Sequence, residues 1–164
     1  MLAAPARGEE AAAPPVSTFL ERLAAGEEWP EAVYATDVAF GDVDGDGLDE
    51  VAIVTSANTG ARVVLLDDAA AAFAPLATFG DGWGAGAYAT CVAFGNVDGD
   101  AADEMGLTRA TSVNERAYVF DDAAAGFATL ETWGADWAAT VHGVAIAFGD
   151  PDGSLPTRIY PNEA

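Results

Sequence analysis

Apolar residues along this chain fall in short runs of roughly five to seven, β-branched or aromatic and divided by Gly, Asp and Asn, the pattern of strands bounded by turns. Four such runs follow one another at Thr36–Gly41, Glu50–Thr55, Arg62–Asp67 and Phe73–Phe79. Four more begin at Thr90, Glu104, Arg116 and Phe127. The first run of each set, TDVAFG or TCVAFG, is the most apolar and the richest in small residues, which suits the crowded position nearest the axis about which such units would be arranged.

The two sets are copies of one unit. At an offset of 54 residues VAFGDVDGDGLDE (Val38 to Glu50) returns as VAFGNVDGDAADE (Val92 to Glu104), and again, eroded, as IAFGDPDGSLPTR (Ile146 to Arg158). Between Thr36–Trp83 and Thr90–Trp137, 23 of 48 positions are identical, a match that extends well beyond the acidic segment and leaves no room for chance. The register also runs backwards, aligning Phe19 with Phe73 and Phe127, Gly26 with Gly80 and Gly134, and Trp29 with Trp83 and Trp137.

Four short strands every 54 residues predict an all-β fold of β-propeller blades, because a small four-stranded antiparallel sheet buries its faces only against neighbouring blades. The expected organisation is a flexible leader over 1–16 and a partial propeller over 17–164. Within it, 19–35 is a leading strand, 36–89 and 90–143 are whole units, and 144–164 is an incomplete one. Two local signals compete at 18–25: Thr18 and Glu21 have capping-box spacing with Gly26 as a helix stop, whereas the repeat register makes the segment an outermost strand. Register is the stronger guide, since propensity yields to tertiary context.

About three repeats make an incomplete ring. Either the sequence is a fragment of a larger propeller or copies of it associate; unprotected sheet edges, which invite association, favour the fragment.

Charge narrows the function. Against 27 Asp plus Glu stand only 6 basic residues, all Arg, for a net charge of −21. Nucleic acid is thereby disfavoured as a partner, since its phosphates require clustered Lys and Arg. Self-repulsion on this scale also calls for bound or screening cations. The single Cys91 excludes an intrachain disulfide framework and lies in an apolar stretch that suits a buried thiol. No segment is apolar for long enough to insert in a membrane, and residues 1–15 lack the pattern of a signal peptide.

The acidic segment has the spacing of a metal loop. Oxygen-bearing side chains alternate at Asp42, Asp44 and Asp46, and at Asn96, Asp98 and Asp100, with Gly45, Gly47 and Gly99 giving the backbone freedom to curl. The main-chain carbonyl of Leu48 or Ala102 and the carboxylate of Glu50 or Glu104 would complete a shell of hard oxygens suited to calcium. An EF-hand would need Glu at the twelfth position, where this chain has Ile53 and Leu107. In the third loop Asp150 and Asp152 remain, while Ser154 and Arg158 depart from the pattern, so that it either binds calcium weakly or is neutralised by Arg158. The competing explanation is a set of plain Asp-rich turns, disfavoured because so many carboxylates would repel one another without a cation.

The run FGDVDGDGLDEVAIV resembles the FG-GAP or VCBS-type repeat found in the integrin α-subunit propeller and in many bacterial and fungal surface proteins. The resemblance covers most of Phe19 to Arg158 and implies a calcium loop on Asp42, Asp44, Asp46, Leu48 and Glu50, and on Asn96, Asp98, Asp100, Ala102 and Glu104. It further implies an adhesive or ligand-binding module at the cell surface or outside the cell. The expected activity is recognition of a glycan or a protein and not catalysis. Trp29, Trp83 and Trp137, repeated in Gly-rich connections, are either plates for a sugar ring or wedges between blades. The alternative is a catalytic or accessory segment of a sugar-acting hydrolase or lyase; against it, the one histidine, His142, aligns with Tyr34 and Tyr88 in the repeat.

Overall fold

A computed structural model describes residues 26, 29–149 and, as backbone, 158–163. Over that span the protein is all-β, with no helix among the described residues. Strands β1 (Ala35–Gly41), β2 (Glu50–Thr55), β3 (Val63–Leu66) and β4 (Pro75–Phe79) form one antiparallel sheet in sequential order. Strands β5 (Tyr88–Gly95), β6 (Glu104–Ala110), β7 (Ala117–Phe120) and β8 (Thr129–Trp133) form a second of the same design. A third sheet holds β9 (Gly143–Gly149) paired with β10 (Arg158–Glu163). The described residues form no closed ring, and the expected leader over 1–16 and the helix-or-strand segment at 18–25 lie outside them.

The fourth strand of each unit starts later than its hydrophobic run predicts, at Pro75 and Thr129 in place of Phe73 and Phe127. Both phenylalanines sit at φ 55°, in the left-handed region, because the preceding turn winds tightly before releasing the chain. Asp68 Oδ1 accepts the N–H groups of Ala70 and Ala71, and the Phe73 N–H closes on the Asp68 carbonyl at 2.8 Å. The rings still turn inward: Phe73 covers Val51, Ile53 and Leu66, and Phe127 meets Phe79 edge-on with centroids 5.5 Å apart.

Period-two alternation sorts the first sheet into two faces. Ala52, Val54, Val63 and Leu65 point toward the second sheet and join Ala89, Val92, Met105 and Leu107 in the main core. Val51, Ile53 and Leu66 point the other way, under Trp29 and Phe73. The most buried strands are the second ones: every residue of β2 and nearly all of β6 is buried, whereas β1 is exposed along one face. An interior strand is paired on both sides and covered on both faces, and EVAIVT has the unbroken apolar run such a place demands.

The sheets meet through one repeated contact. A Cβ added at Gly41 would collide with Phe94, and one at Gly95 would come within 2.5 Å of the Phe148 Cβ, so each phenylalanine uses the bare glycine backbone of the preceding sheet as its seat. Each whole unit is also pinned by a buried arginine. Arg62 donates to the carbonyls of Asn58, Gly60, Gly80, Trp83, Gly84 and Ala87, and Arg116 to those of Thr111, Asn114, Gly134 and Ala138. These cations serve loop carbonyls that strand pairing leaves without partners, the accounting that buried backbone requires.

Candidate metal centre

The turn from β1 to β2 is organised around its own carboxylates. Asp42 Oδ1 accepts the N–H groups of Gly45 (2.8 Å) and Asp46 (3.1 Å), its Oδ2 that of Gly47 (2.9 Å), and Asp44 Oδ1 that of Asp46 (3.1 Å). Gly45 at φ 77° and Gly47 at φ 90° allow the curl. In the second unit Asn96 Oδ1 takes the Gly99 N–H, and Asp98 Oδ1 that of Asp100.

At the end of each turn stands a buried glutamate. Glu50 and Glu104 are both 0 % exposed. Glu50 Oε2 accepts the Val43 N–H at 2.7 Å, and Glu104 Oε2 accepts that of Val97. The other oxygen, Oε1, is buried in both residues with no hydrogen-bond partner among the described residues. Burial, with the nearby aspartates adding to it, pushes both carboxyls up to about 7 from an ordinary value of 4.5. One orphaned buried oxygen is an expensive defect, and its repetition at the same atom of both copies marks it as a feature.

Ligand atoms of Asp42, Asp44 and Glu50 lie within 4.8 Å of one another, as do those of Asp98, Glu104 and Asp121. Oxygens about 2.3–2.6 Å from one calcium ion stand up to about 5 Å apart, so each group fits around a single such ion. A third group, Glu50, Asp67 and Asp68, shares its glutamate with the first.

Asp67 and Asp121 were not among the residues expected from loop spacing. They enter from the β3–β4 and β7–β8 turns: the pairings Val51↔Leu66 and Met105↔Phe120 carry Asp67 and Asp121 alongside Glu50 and Glu104. The available signal was the pair Asp67-Asp68, which recurs in register as Asp121-Asp122.

The remaining expected ligands stand elsewhere. Asp46 and Asp100 lie outside these groups, their Oδ1 atoms accepting the N–H groups of Leu48 and Ala102 at 2.8 Å. Asn96 Nδ2 donates to the Asp100 carbonyl. Leu48 is exposed and Ala102 buried. Asp150 and Asp152 lie outside the described residues.

The three repeated tryptophans are all half-buried, each closing a turn on the glycine three residues before it. Trp29 borders a cleft of about 420 Å³ with Val33, Thr55, Asn58, Thr59 and Val64. The corresponding cleft of the second unit is smaller, about 170 Å³ between Ala87, Arg109, Thr111, Ser112 and Val113, and does not reach Trp83, because Arg109 and Tyr118 stand where the first unit has Thr55 and Val64. The Arg109 guanidinium lies 4.7 Å from the Trp83 ring centre and 5.1 Å from that of Tyr118. His142 Nδ1 is 3.0 Å from the Thr111 carbonyl, and Cys91 is half-buried, its thiol pushed up by burial. No helix among the described residues is long and apolar enough to cross a membrane. Comparison with known proteins finds no matching family model, curated sequence or solved structure.

Proposed function

We propose that this protein is a calcium-binding repeat module whose four-stranded sheets are blades of a β-propeller, serving outside the cell or at its surface as a recognition scaffold. The supporting observation is the pair of buried glutamates, each with one oxygen unpartnered and turned among further carboxylates. When bound, calcium supplies the positive charge that lets the buried glutamates stay ionised beside their aspartate neighbours. Glu50 and Glu104 are the anchors; Asp42 and Asp44 in one unit, and Asp98 in the other, would hold the ion from the turn, with Asp67 and Asp121 closing it from the neighbouring strand pair.

Such binding stiffens the turns and, being confined to the folded state, adds stability by mass action: about 2.7 kcal/mol at a hundredfold excess over Kd. Calorimetric titration should register one ion at each of the two centres, with Glu50→Gln and Glu104→Gln each removing one of them. An unchanged melting temperature in excess calcium, together with no heat of binding, would refute the assignment.

Recognition is assigned to the cleft at Trp29. Its aromatic wall, with Thr55, Asn58 and Thr59 as hydrogen-bonding groups, suits a sugar ring stacked on the indole, whereas Arg109 covers the Trp83 ring and the smaller cleft of the second unit does not include it. Glycan-array binding that disappears in Trp29→Ala is the expected result. Silence on the array alongside capture of a defined protein partner would replace the sugar with a protein ligand.

A further inference from the structure

We infer that the outer face of β1 is a docking surface for the β9 face of a second copy of this chain, joined head to tail. Both internal sheet contacts follow one rule. Phe94 of the second sheet lies over Gly41 of the first, and Phe148 of the third sheet repeats the contact on Gly95 of the second, where it also meets Gly106 together with Ile146.

Among the described residues, those that would continue this rule on the outer faces of the first and third sheets are left open. Val38 and Phe40, aligned with Val92 and Phe94, are 53 % and 61 % exposed, whereas Val92 is 4 % and Ile146 5 % exposed. They stand on the same face of the sheet as Ile53 and Val51, their cross-strand partners, and so extend an apolar surface that is already partly covered. At the opposite end, Gly149 aligns with Gly41 and Gly95, and among the described residues nothing lies within 4 Å of a Cβ built there. Beside it Ala147 is exposed, where its counterparts Ala39 and Ala93 are half-buried.

One end therefore carries a projecting phenylalanine and the other its glycine seat. The occupant that fits both is the chain itself, since the two faces already meet twice inside it. A contact between two different faces is heterologous, and it propagates into a ring or a chain instead of stopping at a symmetric dimer. The inference is independent of the calcium assignment, and its test reads association, not metal uptake.

Analytical ultracentrifugation of the full chain in calcium buffer checks it. The wild type should sediment faster with rising concentration. Phe40→Asp removes the projection and Gly149→Leu blocks the seat; Phe40 is mostly exposed and a Cβ at Gly149 meets no neighbour among the described residues, so both variants should fold, match the melting temperature of wild type diluted below its association range, and sediment as monomers. Mixed together they should form a one-to-one dimer, because the intact Phe40 of one still finds the intact Gly149 of the other. A wild type that remains monomeric, single variants that assemble as it does, or a mixture that stays monomeric would each overturn the inference.

Discussion

Glu50 and Glu104 carry most of the chemistry at the residue scale. A carboxylate held in a pocket with one hydrogen bond and several anionic neighbours is disfavoured, which is why both titrate near 7 and not near 4.5. For a carboxyl whose folded value is raised, the cost of charge is fully present above the folded value and vanishes below the unfolded one. With calcium removed by chelator, stability should therefore rise as pH falls from 8 through 7 toward 4.5. Urea denaturation followed by tryptophan fluorescence measures this. The double variant Glu50→Gln/Glu104→Gln should lose much of the slope, the remainder belonging to general relief of repulsion as the acidic surface is protonated. Under the proposed calcium assignment the ion should oppose the trend, since it would compete with the proton for the same oxygens and bind more tightly at pH 8 than at pH 6.

Turns are the elements on which the two units can be compared most directly. Position 60 of the first unit is Gly at φ 68°, and its counterpart Asn114 adopts φ 62°, a substitution that the left-handed region tolerates well. Position 126 of the second unit is Gly at φ 69°, but its counterpart is Ala72 at φ 58°, where a Cβ is strained. Ala72→Gly should accordingly stabilise the protein by about 1 kcal/mol, with Gly126→Ala destabilising it by a similar amount. In thermal melting that is about 3 °C in each direction for a chain of this size. No change in either variant would mean that the turn relaxes freely. The same turns hold Asp68 and Asp122 as caps, so a single acidic pair both shapes the bend and delivers its first member to the neighbouring glutamate.

At the scale of the whole molecule, repeated sheets stack through glycine seats and phenylalanine projections, and their acidic turns come to lie side by side. The Asp103 N–H donates to the Asp42 carbonyl at 2.6 Å, and the Ala123 N–H to that of Val43 at 2.9 Å, so neighbouring units are tied where carboxylates are densest. This arrangement brings many of the carboxylates behind the net charge of −21 close together, where their mutual repulsion works against packing. The period, the strand count per unit and the convergence of Asp42 and Asp44 with Glu50 were all legible beforehand, because residues a few positions apart in a tight turn can be placed by local geometry. Asp67 and Asp121 were not, because Glu50 and Asp67 meet through strand register and not through sequence proximity. Nor was the burial of Arg62 and Arg116, although their alignment was plain: only the assembled loops reveal how many carbonyls need a donor.

By itself, the sequence determined the unit and its interior alternation, since turns rich in Gly and Asp, period-two apolar runs and a constant offset act over a few residues at a time. Tertiary structure decided which strand is most deeply covered, which carboxylates share a site, and why otherwise matching tryptophans differ, one beside an open cleft and another under an arginine. Those outcomes depend on side chains brought together by pairing and stacking across long stretches of chain, where two exchanges, Thr55 against Arg109 and Val64 against Tyr118, narrow a cleft that the first unit leaves wider.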